Sequence, residues 1–213
     1  ILSKGHAALA LYSTLFEKKF ISKKILNSFG SNKTHLPGTI TGAMAEGAIW
    51  SRILSDHEVK QIYNAGVVDS LSYLDVGQEL QVWYRMGENH DSIYRIRDRS
   101  GNNNHTSNTV GSVAVQSHSG GNGAQGTFNY IYGNTNAGVR ITNGWNNGGN
   151  YTFFHVTRYT GGSRGRIWQG LSGNWLSGHW SSRRGVFYHE GWLNSGSQGT
   201  LDNWIQCTDS RSL

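Results

Sequence analysis

From Gly126 to Thr208 the chain is a succession of short β-branched and aromatic runs, each closed by Gly, Asn or Ser, with no helical period between them. That pattern leaves few architectures open. Strand candidates fall at Gly126–Tyr132, Gly138–Thr142, Tyr151–Tyr159, Gly165–Gln169, Trp175–Trp180, Gly185–Glu190 and Trp204–Thr208. The clearest is Tyr151–Tyr159, nine positions rich in β-branched and aromatic side chains. Strands at this spacing without intervening helices predict a two-sheet sandwich or jelly roll.

The first third of the chain has another character. All seven Lys lie within the first 60 residues, and eleven of the twelve Arg follow residue 84. Six Gly precede residue 77 and 23 follow from Gly77 on. Two segments of different composition are expected, with the boundary ahead of the strand-rich part. The net charge of +6 shrinks to +4 over Gly77–Leu213, where 11 Arg face 7 acidic residues. Nucleic acid is therefore not the expected partner, although basic and aromatic residues are interleaved. No apolar run reaches the length of a membrane span. Cys207 is the single cysteine, which excludes an internal disulfide framework and a zinc site built on several thiolates. The chain begins at Ile1 without the charged head and apolar core of a signal peptide, and a fragment or processed product is expected.

Residues 1–39 read as helical. Ser3 can cap a helix with Leu9, Tyr12, Leu15 and Phe16 on one face, and Ser22 can cap a shorter one that stops at Gly30. Pro37-Gly38 then breaks the chain. The run from Ile1 through Ser-Lys-Gly-His6 to Tyr12, with Thr34-His35-Leu-Pro-Gly38, resembles the start of a transketolase. The resemblance places His6 beside thiamine diphosphate and substrate. Those enzymes hold the diphosphate through Mg²⁺ and a Gly-Asp-Gly motif ending in Asn. Here Gly42–Trp50 echoes only the Glu-Gly-x-x-Trp tail and carries neither Asp nor Asn. Phosphate-bound Mg²⁺ needs such oxygen ligands. A thiamine diphosphate-dependent role is therefore the last of the readings, and a leftover segment the first.

A second resemblance covers about residues 40–213. Ala48-Ile49-Trp50-Ser-Arg-Ile53, then an acidic short helix with Ser55 as cap and Glu58 three residues on, then Tyr63-Asn64, resembles the closing strand and helix of concanavalin A-like lectin/glucanase domains, also called laminin G-like. Leu80–Glu88 resembles their first strand, and Asp98-Arg-Ser-Gly-Asn102-Asn-Asn104 their Asp-x-Ser-Gly-Asn-x-Asn loop. The resemblance implies an all-β, concanavalin A-like jelly-roll sandwich with a short helical N-terminal appendage. The expected organisation is a helical fragment at 1–39, the closing strand and helix at 40–66, a linker at 67–77 and the main sandwich at 78–213. Residues 40–66 either close a preceding module or supply the last strand of the 78–213 sandwich. The second is favoured, because Ile49 and Trp50 on an unpaired strand would expose apolar surface and an open edge.

Glucanases of this fold need two carboxylates flanking the scissile bond. No Glu-x-Asp-x-x-Glu pattern occurs, and no acidic residue lies between Asp98 and Glu190, an interval that holds seven Arg. Glu190, Asp202 and Asp209 remain the only acids that could converge later in the chain. There is no Gly-x-Ser-x-Gly elbow, and the Gly-rich stretches at 120–126 and 144–149 precede strands, as turns do. Binding chemistry remains. Trp145, Trp168, Trp175, Trp180 and Trp192 sit among Asn and Arg, and sugar rings stack on aromatics while their hydroxyls pair with such groups. Most of these Trp are expected in the core. The candidate ligand site is Arg166, Trp168, Trp180 and Arg184 on two adjacent strands, suited to an acidic or sulfated saccharide. For metal, Asp98, Asn102 and Asn104 offer hard oxygens to Ca²⁺, against the alternative of an Asn-rich loop held by its own hydrogen bonds. The expected function is a non-catalytic carbohydrate-binding or adhesion module. Its partner is a glycan or glycoprotein surface, and its place is extracellular or on a virion or cell surface. A glycoside hydrolase of the same fold is the runner-up.

Overall fold

The chain divides into two compact units, Ile1–Lys33 and Thr34–Leu213. The computed structural model describes residues 36–39, 42–63, 71, 79–88, 95–106, 108–134, 136–141, 149–162, 164–170 and 173–212. The helices expected in the first 33 residues, His6 with them, and all of the 67–77 linker but Leu71 lie outside the described residues. So does Trp145.

The described part is all-β apart from one helix. The strands are β1 (Leu36–Thr39), β2 (Gly42–Trp50), β3 (Leu80–Arg85), β4 (Asn108–Val110), β5 (Val113–His118), β6 (Phe128–Gly133), β7 (Gly138–Ile141), β8 (Tyr151–Tyr159), β9 (Trp168–Gln169), β10 (Trp175–Trp180), β11 (Arg183–His189), β12 (Trp192–Asn194) and β13 (Ile205–Arg211), with helix α1 (Asp56–Tyr63). They form three antiparallel sheets. The largest has the order β13-β8-β2-β6-β5, with β3 beside β6 along the same edge of β2. The others run β12-β11-β10-β9 and β1-β7-β4.

Strand β2 is the centre of the large sheet. It pairs with β8 along its whole length and with β6 and β3 on its other edge. All nine of its residues are buried, so both faces are covered. That explains a strand made largely of Gly and Ala, which are poor strand formers. A Cβ on Gly47 would stand 3.3 Å from the Trp168 ring, so glycine lets that indole lie against the strand. Trp50 is fully buried and packs with Leu80, Trp83, Phe154 and Ile62 of α1 on the outer face. The inner face carries Met44, Ile49, Val82, Phe153 and Tyr159, which meet Val139 and Ile141 of β7, Trp168 of β9 and Trp175 of β10. The sheets therefore share one core.

Local chemistry accounts for the ends. Glu58 N–H donates to Ser55 Oγ at 3.3 Å and Ser55 N–H to Glu58 Oε2 at 2.7 Å, a reciprocal cap that starts α1. Arg52 adds two bonds to the same carboxylate, and these contacts hold Glu58 down to about 2. Pro37-Gly38, read as a break, lies inside β1 instead. The proline is tolerated because β1 is an edge strand, where a missing N–H need not cost a ladder bond. Strands β4, β5 and β12 were not expected either. Gly165–Gln169 shrinks to the two residues of β9.

Candidate functional site

The expected quartet divides between opposite sides of the β9–β12 sheet. Trp168 pairs with Ser177 and faces inward, 1% exposed, edge-on to Phe153 at 5.1 Å. It is a core residue and offers no stacking face. Strand β10 does not continue to Arg184. The chain reverses at Ser181-Ser182, both at positive φ (47° and 60°), as a two-residue hairpin requires. Trp180 therefore pairs with Arg183, and Arg184 with His179 on the other side. Arg184 donates to Gln198 O and, at 3.1 Å, to Asn203 O, and borders a groove of about 680 Å³ with Lys60, Tyr63 and Phe187. Burial lowers its pKa. Arg166 Nη2 donates to Asn174 Oδ1 at 2.8 Å. The Ser181-Ser182 turn carries neither Gly nor Asn, the usual residues of that hairpin type.

Trp180 keeps company with other residues. Its ring lies 5.1 Å from Trp192, which lies 5.2 Å and edge-on from Tyr188. The Arg183 guanidinium sits 5.5 Å over Trp180. Trp192 is 44% exposed and its neighbour Leu193 61%. Two hairpins build this face. The first pairs Trp180 with Arg183, and the second pairs Tyr188 with Trp192 across Glu190-Gly191, Glu190 standing at φ 56°. The Glu190 carboxylate accepts from Asn174 N–H at 2.9 Å, which ties that turn down. Three aromatic rings in contact, one of them exposed, beside a guanidinium, can stack on the apolar face of a sugar and donate to its oxygens. Tyr188 was absent from the sequence reading. The spacing Tyr188-His-Glu-Gly-Trp192, two aromatics separated by three residues around a turn that ends in Gly, is the sequence signal for it.

The Asp98 loop is a structural staple. Asp98 Oδ1 accepts from Trp83 N–H and Ser100 N–H at 2.9 Å each. Its Oδ2 accepts from Ser100 Oγ at 2.9 Å and Asn104 N–H at 2.8 Å. Four bonds fill the four lone-pair positions of a carboxylate. Asn102 and Asn104 turn their amide nitrogens to Leu80 O and Gln81 O at 2.7 and 3.0 Å. Asp98 and the amide nitrogens of Asn102 and Asn104 thus hold the loop on β3, and Asp98 has no lone pair left for a cation. No group of three or more His, Cys, Asp or Glu side chains placed to hold a metal occurs among the described residues.

The late acids stand in separate partnerships. Asp202 pairs with Arg164 at 3.0 Å, Glu190 with the Asn174 backbone, and buried Asp209 with His189 Nε2 at 2.7 Å. Asp209 belongs to a sealed polar network between β8, β10, β11 and β13. His155 meets Thr157 Oγ1 at 2.9 Å through Nδ1 and Ser177 Oγ at 3.0 Å through Nε2, and Thr157 Oγ1 lies 3.4 Å from His179 Nδ1. The Ser177–His155 contact has the spacing of a nucleophile and base. However, Thr157 rather than a carboxylate orients the imidazole, and Ser177 and His155 are both fully buried. Among the described residues no helix is long and apolar enough to cross a membrane. The Glu46–Trp50 run that echoes a cofactor motif is part of the central strand β2.

No protein-family model, no curated protein and no solved structure matches the chain.

Proposed function

We propose that the Thr34–Leu213 unit is a non-catalytic carbohydrate-binding or adhesion module, a concanavalin A-like jelly roll that holds a glycan chain on the Trp180–Trp192–Tyr188 face. The observation that carries this reading is the open Trp192 ring, 44% exposed, packed against Trp180 and Tyr188 with Arg183 alongside. A tryptophan needed only for packing would bury more of its surface. Arg183 favours a saccharide that carries carboxylate or sulfate, and its contribution weakens as salt screens it. The partner is then a glycan or glycoprotein at a cell or virion surface. Support for binding without turnover comes from the acids: Glu190, Asp202 and Asp209 each hold a structural partner, and Glu46 and Glu88 are paired with Arg85 and Arg99.

Affinity measurements on the intact chain test this with acidic and neutral polysaccharides. Trp192→Ala should weaken binding at least tenfold while leaving the melting temperature within a few degrees. Arg183→Ala should weaken the acidic ligands more than the neutral ones. Binding indifferent to Trp192→Ala would remove the face from consideration.

A further inference from the structure

A second cleft lies on the other side of the molecule. Glu46 of β2 pairs with Arg85 of β3 and Val156 of β8, and so shares the outer face of the large sheet with Ala48 and Trp83. The Trp180 face belongs to the β9–β12 sheet, across the shared core. Around Glu46 is a cavity of about 260 Å³ bordered by Arg85, Glu88, Phe128 and Asn129. The Glu46 carboxylate is at its floor, with 4% of its side chain exposed. Arg85 Nε donates to Glu46 Oε1 at 2.8 Å and lies 3.4 Å from Glu88 Oε1. Arg99 pairs with the other Glu88 oxygen.

Charge decides what such a cleft can take. Two carboxylates and two guanidinium groups already neutralise one another in a chain of contacts, so a charged ligand would have to break a pair to gain one. A neutral, hydroxyl-rich ligand adds to the chain without breaking it. Its hydroxyls can donate to the carboxylates and accept from guanidinium N–H groups. Asn129 Oδ1 is held by Ser117 Oγ at 2.7 Å, which leaves the amide nitrogen as the end that can donate. Phe128 supplies an apolar wall for a ring face. Burial pushes the Glu46 carboxyl up, against the opposing pull of Arg85, and a hydroxyl donated to it would replace lost hydration.

We propose that the Glu46–Arg85–Glu88 cleft, with Phe128 and Asn129, binds a single neutral polyhydroxylated ring such as one pyranose. The site is separate from the aromatic face, so each can fail without the other. Titration of the intact chain with neutral methyl glycosides, followed by ¹H–¹⁵N NMR, tests it, with glycine as the zwitterionic control. At least one glycoside should give saturable shifts at the Trp83 indole and the Asn129 amide. Glu46→Gln and the half-buried Asn129→Ala should each weaken that binding at least fivefold, and Trp192→Ala should leave it unchanged. Asn129→Ala keeps the test decisive if Glu46→Gln does not fold. Absence of saturable shifts, loss of them in Trp192→Ala, or tighter binding of glycine than of any glycoside would overturn the proposal.

Discussion

Acidification should loosen this protein through two histidines that the fold keeps neutral. His155 and His179 are both fully buried. Burial drives both imidazoles down, His155 well below its ordinary value and His179 to about 3. Like charge adds to the effect of burial: His179 acts on His155, and Arg184 on His179. The Tyr159 ring, 4.6 Å from His179, gives no counter-charge. Above pH 6.5 both histidines are neutral in the folded and unfolded chain and contribute nothing to pH dependence. Below it the unfolded chain binds protons that the folded chain refuses, so stability falls with pH. Each histidine contributes about 1.4 kcal/mol per pH unit, about 3 kcal/mol for the two at pH 5.5. That is a large fraction of the roughly 5–15 kcal/mol typical of a domain. Asp209 and Glu46 act in the opposite sense. Their carboxyls are raised, so the folded chain holds protons sooner than the unfolded one, and this gain is complete only below their ordinary values of 3.8 and 4.5. Urea unfolding followed by tryptophan fluorescence at pH 7.5, 6.5 and 5.5 reads the balance. The loss between 6.5 and 5.5 should shrink by about half in His179→Gln and grow in Glu46→Gln. Stability that is flat from pH 7.5 to 5.5 in the wild type and in Glu46→Gln, or a loss unchanged by His179→Gln, would refute the reasoning.

Other outcomes follow from packing and hydrogen bonding. Trp168→Ala should destabilise by about 3–5 kcal/mol, measured by chemical denaturation, because the indole is in the shared core. Asp98→Ala should cost about 3 kcal/mol by leaving its donors unpaired, and Ca²⁺ should leave the wild-type melting temperature unmoved. Cys207 is buried with its thiol pushed up to about 12, so it should resist thiol reagents at pH 8 until the chain unfolds.

The strands were readable where the side chains themselves demand extended backbone. Tyr151–Tyr159 falls where its β-branched and aromatic run puts it, and Trp175–Trp180 falls between the tryptophans that bound it. Helix α1 was readable from Ser55 and Glu58, because a cap is a local device. What failed was whatever depends on a turn without its usual residues. A reversal between Trp180 and Gly185 was expected, but Ser181-Ser182 carries no Gly or Asn to mark its position, and so the sides on which Arg183 and Arg184 lie were not legible. The Asp98 loop was readable only as two alternatives. Its composition allows either cation binding or self-satisfaction, and only the positions of the donors on β3 decide between them. Glu46 stands alone among Gly, Ala and Met in the sequence, with no second carboxylate near it to mark a site. Its partner Arg85 is 39 residues away in sequence and reaches it because β3 pairs with β2 with Glu46 opposite Arg85.

The central claim is that this chain holds a glycan and leaves it intact. Incubating the whole chain with a panel of neutral, carboxylated and sulfated polysaccharides, read for both retained protein and newly formed reducing ends, tests it most directly. The account predicts retention on at least one polysaccharide, weakened by Trp192→Ala, with no reducing ends above the blank. Retention on none of them would contradict the binding reading, and reducing ends released by the wild type would contradict the non-catalytic one.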